Sequence, residues 1–148
     1  DRLFIGVSTE LFALHAKSVI GIDLWGLEET YNEVSPKTIK DDWQDIEDIA
    51  RKRLLPYKNT KLIRAFSEDY SKKIKNNSID MVYIDGSHTY TGVSLDIKCW
   101  YDKVKFGGVI SGHDYDQLDV KRAIDEFVND KNLKDLKIFK DTSWSVIK

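Results

Sequence analysis

Apolar residues along this chain fall into two alternating rhythms. Near-continuous apolar runs at residues 2–5, 18–24, 60–66, 79–84 and 108–111 read as strands, the longer ones of the kind buried on both faces of a parallel sheet. Between them, helical spacing links Leu11, Phe12, Leu14 and His15, with Ser8 or Thr9 as the cap. It links Trp43, Ile46, Ile49, Ala50 and Leu54 within residues 41–55, and continues over residues 68–75, 90–104 and 120–129. Pro56 closes the second of these helices, and Asn76-Asn77 closes the third. Residues 25–40 have no clear period and contain Pro36, which makes them a long loop.

Strand and helix in regular alternation predict an α/β fold. The expectation is a Rossmann-like three-layer sandwich with helices on both faces of a mostly parallel seven-stranded sheet, joined by right-handed crossovers. Two late runs, residues 136–139 and 144–147, lie close enough in sequence to pair as an antiparallel hairpin at its end. A length of 148 residues suits one domain, 1–148. Asp1 is followed almost at once by a strand, so the domain is expected to be incomplete at its amino end.

In such sheets ligands bind beyond the carboxyl ends of the strands. That nominates Gly6, Ser8 and Thr9 in the first strand-to-helix turn, where backbone N–H groups face a polar cofactor. It also nominates Asp23 at the second strand end, placed to accept hydrogen bonds from ribose hydroxyls or to cap the following loop. The densest chemical segment is Ile84-Asp85-Gly86-Ser87-His88, and Ser111-Gly112-His113-Asp114-Tyr115 repeats its theme. Adjacent strand ends would bring the two together, either to bind a divalent metal through Asp85 and Asp114 or to supply a general base in His88 or His113 that the carboxylates orient. Trp25, Tyr31 and Trp43 are read as core before they are read as ring-stacking residues.

Composition narrows the partners. With 23 basic and 25 acidic side chains and a formal charge of -2, no basic excess points to nucleic acid. The single cysteine, Cys99, makes no intramolecular disulfide and fits a reducing, cytoplasmic setting. No apolar run approaches the roughly 20 residues of a membrane span. The acidic pair Glu28-Glu29 and the basic run Arg51-Lys52-Arg53 read as solvated faces.

The segments Val82-Tyr83-Ile84-Asp85-Gly86-Ser87-His88-Thr89-Tyr90 and Gly107-Gly108-Val109-Ile110-Ser111-Gly112-His113-Asp114-Tyr115 carry a resemblance. With Asp96, Trp100, Val120 and Ala123 to Phe127 in register, they resemble class I S-adenosylmethionine-dependent methyltransferases of the branch with Ile-Asp-Gly-x-His and Gly-His-Asp-Tyr segments. At the amino end Leu3-Phe4 stands where that family has an acidic residue and a further glycine. The resemblance implies S-adenosylmethionine as cofactor, held by Gly6, Ser8 and Thr9, with Asp23 on the ribose, Ser67 bordering the adenine and Asp85 beside the methyl donor. It implies His88, His113 and Asp114 facing the acceptor or Mg²⁺, and O-methylation of a sugar or other small hydroxylated metabolite. A methyltransferase-like scaffold without cofactor is the alternative; an NAD enzyme is disfavoured by the missing G-x-G-x-x-G. Homo-oligomerisation is left open.

Overall fold

The computed structural model describes residues 5–26 and 43–148. The chain divides into two compact units, Asp1–Ser67 and Glu68–Lys148. The expected first strand lies outside the described residues except for Ile5, which stands in a turn, and so does the 25–40 loop beyond Gly26.

In the first unit, helix α1 (Val7–Ala13) follows Gly6, whose φ of 78° is left-handed and needs glycine. The helix starts at once after Gly6, so Ser8 and Thr9 fall inside its first turn and neither side chain caps it. Strand β1 (Val19–Asp23) pairs in parallel with β2 (Thr60–Arg64). A Cβ at Gly21 would meet Leu62 Cδ2 at 2.8 Å and Thr9 Oγ1 at 3.1 Å, so this glycine lets α1 lie close on β1. Ile20 is exposed, unlike the both-faces burial expected for this strand. Leu11 and Leu14 are exposed too; α1 ends before Leu14, and its buried positions are Thr9 and Ala13.

Helix α2 (Trp43–Leu54) buries Glu47, Ala50 and Leu54, while Ile49 faces outward. Its buried stripe therefore includes a carboxylate that apolar periodicity overlooks. Arg53 Nη1 and Tyr57 Oη both donate to Glu10, at 3.0 Å each, tying α2 and the turn after it to α1.

A short helix α3 (Ser67–Ser71) crosses into the second unit. There β3 (Ile79–Ile84), helix α4 (Tyr90–Tyr101) and β4 (Val104–Gly112) form a parallel β-α-β unit. The expected helix over 90–104 stops at Tyr101, and the buried Val104 opens a strand four residues longer at its start than expected. The difference comes from Gly107 and Gly108: the ladder runs Ile79 to Val104 and then shifts, resuming at Met81 to Val109. Gly107 is left-handed, and Gly108 passes where a Cβ would lie 2.8 Å from Asp80 O. Helix α5 (Leu118–Asp130) leads to β5 (Lys137–Ile138) and β6 (Trp144–Ile147), which pair antiparallel as the hairpin pattern predicts.

The observed sheets are a two-stranded β1-β2 and a four-stranded mixed β3-β4-β6-β5. These are α/β in kind, and the described residues show six strands rather than one sheet of seven. The core of the second unit joins Ile84, Ile110, Trp144 and Val146 from the sheet to Val93 and Ile97 of α4 and Val120, Ala123 and Ile124 of α5.

Candidate active site

The parallel register sets Ile84 against Gly112, so the segments after β3 and β4 leave the sheet side by side. One more ladder bond, His113 N to Ile84 O at 3.2 Å, holds them together past the last paired residues. Gly112 makes this closeness sterically allowed: a Cβ there would fall on Ile84 O and 2.8 Å from Trp144 Nε1.

Asp85, His113 and Asp114 converge beyond the strand ends, each offering a ligand atom within 4.8 Å of the others. His113 Nδ1 lies 3.3 Å from Asp114 Oδ1, and His88 Nε2 lies 3.0 Å from Asp114 Oδ2. Both are close contacts that are not aligned as hydrogen bonds, and the buried Oδ2 has no hydrogen-bond partner. Trp144 Nε1, on a side chain 1% exposed, is likewise buried and unpartnered. Both residues line a small cavity with Ile84, Asp85, Ser87, His88, Val93, His113 and Val120.

Two costs are concentrated here. Asp114 has a φ of 60°, a left-handed conformation that asparagine and aspartate tolerate best among residues with a Cβ. Burial, reinforced by the charge of Asp114, pushes the Asp85 carboxyl above its ordinary range, while His113 and His88 pull it back. Thr89 caps α4 by accepting from Gly92 N, fixing the turn on which His88 stands.

The first-unit candidates form a separate set. Asp23 ends β1, and its Oδ1 accepts from Trp25 N at 2.9 Å, the loop-capping role that aspartate offers at a strand end. Burial raises its carboxyl, with Glu47 adding in the same sense and the Trp25 and Leu24 N–H groups opposing. Ser67 opens α3, just beyond the end of β2. Gly6 is buried under Leu54, Ser8 is half-buried, and Thr9, 4% exposed, packs on Gly21. Thr9 thus fills the contact between α1 and β1.

A family model described as a methyltransferase domain matches residues 4–115. The chain belongs to the class I S-adenosylmethionine-dependent methyltransferases. Among solved structures this methyltransferase is similar to an rRNA methylase from Streptococcus thermophilus, at 18% identity over 95% of this chain and 78% of that one, with a TM-score of 0.63. The O-methyltransferase NovP is similar at 15% identity over 88% of this chain and 60% of that one, with a TM-score of 0.67. A Streptococcus mutans protein in complex with S-adenosylhomocysteine is similar at 17% identity, 95% and 80% coverage and a TM-score of 0.65. At these identities the likeness is one of fold. No curated protein matches the methyltransferase in sequence. Among the described residues no helix is long and apolar enough to cross a membrane.

Sequence reasoning named every titratable member of the Asp85 cluster and missed Trp144. An indole thirty residues downstream enters the site only through the β4-β6 pairing of Gly112 with Trp144, which sequence spacing does not announce.

Proposed function

We propose that this methyltransferase uses S-adenosylmethionine to O-methylate a small hydroxylated molecule or sugar, with the Asp85, His88, His113 and Asp114 cluster on the acceptor side. The observation that carries the reading is the meeting of two carboxylates and two imidazoles at adjacent parallel strand ends, Asp114 standing between His88 at 3.0 Å and His113 at 3.3 Å. A hydroxyl acceptor needs a group to take its proton, and a carboxylate on one imidazole nitrogen leaves the other nitrogen to accept it. His113, with Nδ1 toward Asp114 Oδ1, has that arrangement; His88 is the second candidate.

The cofactor, when bound, supplies an electrophilic methyl group; the protein's task is alignment, which accounts for many powers of ten in rate. Asp23 fits a ribose: Trp25 N occupies one lone pair of its half-buried carboxylate, and a carboxylate has about four. Gly6 and Ser8 would border the amino-acid end, Ser67 the adenine and Asp85 the methyl donor. Asp85 and Asp114 also fit a divalent cation such as Mg²⁺, because their atoms converge and Asp114 Oδ2 is buried without a hydrogen bond. A cation there would supply Lewis-acid polarisation of a hydroxyl oxygen.

Similarity to the O-methyltransferase NovP supports this acceptor class, and the formal charge of -2 weighs against a nucleic-acid acceptor such as the rRNA of the Streptococcus thermophilus methylase. Calorimetric titration with S-adenosylmethionine, S-adenosylhomocysteine and NAD, alongside Asp23→Ala, tests it. Saturable binding of the first two, weakened by the substitution, is the expected result and opens a screen of hydroxylated acceptors. A folded chain that binds neither is a scaffold, and the reading falls.

A further inference from the structure

The turn after β1 is strained and held from three sides. Trp25 has a φ of 38° although it is bulky, and Gly26 follows at 75°. Trp25 is 2% exposed, and a Cβ at Gly26 would lie 2.7 Å from the Trp43 ring, so the turn is packed in place. Arg64, the register partner of Asp23 at the end of β2, reaches across it. Its Nη2 donates to Trp25 O at 2.9 Å and its Nε to Leu24 O at 3.3 Å. Its Nη1 pairs with Glu47 Oε2 at 3.1 Å.

Glu47 is 5% exposed, and its other oxygen takes Arg51 Nε at 2.8 Å and Nη2 at 2.6 Å. The Arg51 guanidinium in turn lies 5.9 Å from the centroid of the Trp25 ring. One planar fork therefore holds both carbonyls that follow Asp23, while Asp23 itself takes the Trp25 N–H.

We propose that Arg64, oriented by the buried Glu47, is a positioning residue for cofactor binding: it fixes the turn in the shape that presents the Asp23 carboxylate to the ribose. The proposal rests on Asp23 being the ribose ligand. A lysine is a point charge and cannot meet three acceptors with fixed directions at once, so the arrangement calls for arginine. Left-handed strain at a bulky residue persists only where its surroundings over-determine it, and such strain gathers at ligand clamps. A strand end kept merely for stability needs neither the strained tryptophan nor a buried carboxylate to aim the guanidinium.

The test is calorimetric titration of the full chain with S-adenosylhomocysteine, comparing Asp23→Ala, Arg64→Ala, Arg64→Lys, and Arg64→Ala with millimolar guanidinium against equal sodium chloride. Arg64→Ala is expected to raise the Kd at least tenfold, Arg64→Lys to fall between it and the parent, and guanidinium but not sodium to restore part of the loss. If Asp23→Ala weakens binding and Arg64→Ala does not, the positioning role is overturned while the ribose assignment stands. If Asp23→Ala leaves the Kd unchanged, both fall together. A loss in Arg64→Ala that guanidinium leaves untouched assigns Arg64 to general stability and overturns the proposal. Should Arg64→Ala fail to fold, an unchanged Kd in Arg64→Lys overturns it equally.

Discussion

Replacing Gly112 with alanine tests whether close approach of strand ends builds the site. The added Cβ would fall on Ile84 O and stand 2.8 Å from Trp144 Nε1 and 2.9 Å from Cε2. Neither obstacle moves easily: one is backbone of a paired strand, and the other belongs to an indole 1% exposed in the core. Overpacking of this kind costs about 1–3 kcal/mol. At about 3 °C per kcal/mol for a chain of this size, the Tm should fall by roughly 3–9 °C. Two sister substitutions calibrate the result. At Gly86 the nearest obstacle to a Cβ is the flexible Asp96 carboxylate at 3.6 Å, so Gly86→Ala should leave Tm nearly unchanged. At Gly107 nothing lies within 4 Å but φ is +78°, so strain alone should cost about 1–2 kcal/mol. Circular dichroism melts of the three variants decide the matter. A Gly112→Ala protein as stable as Gly86→Ala would refute the steric argument.

Asp85→Asn, measured in EDTA, should raise stability at neutral pH, because burial pushes the Asp85 carboxyl up and its ionisation therefore costs the folded state. The sign follows: the parent is unpenalised below the unfolded value near 3.8 and loses stability as pH rises through the raised folded value, so the two melting curves should converge in acid and separate above it. Convergence at neutral pH instead would contradict the burial argument. His113→Ala should lower turnover of an identified acceptor by about 10²–10⁴ while leaving cofactor affinity within about twofold; an unchanged chemical step excludes His113 as the base. EDTA should abolish turnover and Mg²⁺ restore it if Asp85 and Asp114 hold the cation, and full activity in EDTA removes that role.

Much of this architecture was legible because local pattern and tertiary position agree. Residues 79–84 form a strand with the expected bounds, and the hairpin of β5 and β6 follows from two short apolar runs separated by a polar turn. Asp85, His88, His113 and Asp114 were legible as a group because parallel neighbours place consecutive strand ends together. What escaped depends on partners distant in sequence. Val104 continues the helical period of α4, yet Asp102 ends the helix and Val104 is fully buried beside Ile79, so tertiary pairing overrides the pattern. Glu47 looks like a solvated position until Arg51 and Arg64 close over it. Ser8 and Thr9 look like caps until Gly6 takes that place.

The same distinction separates structure from function here. An optimised fold would satisfy its buried polar atoms, and much of the second unit does so: Ser111 Oγ donates to Val82 O, and Lys148 Nζ closes on the carbonyls of Tyr101 and Val104. At the β3 and β4 ends the chain departs from that rule within one small cavity, with a carboxylate pushed up at Asp85, an acceptor without a hydrogen bond at Asp114 Oδ2 and a donor without one at Trp144 Nε1. Each departure alone has a structural excuse, but together they place an unsatisfied donor and an unsatisfied acceptor at the mouth of one sheet. Asparagine at Asp85 is the cheapest relief available, and its predicted gain in stability is the measure of what the carboxylate is kept for.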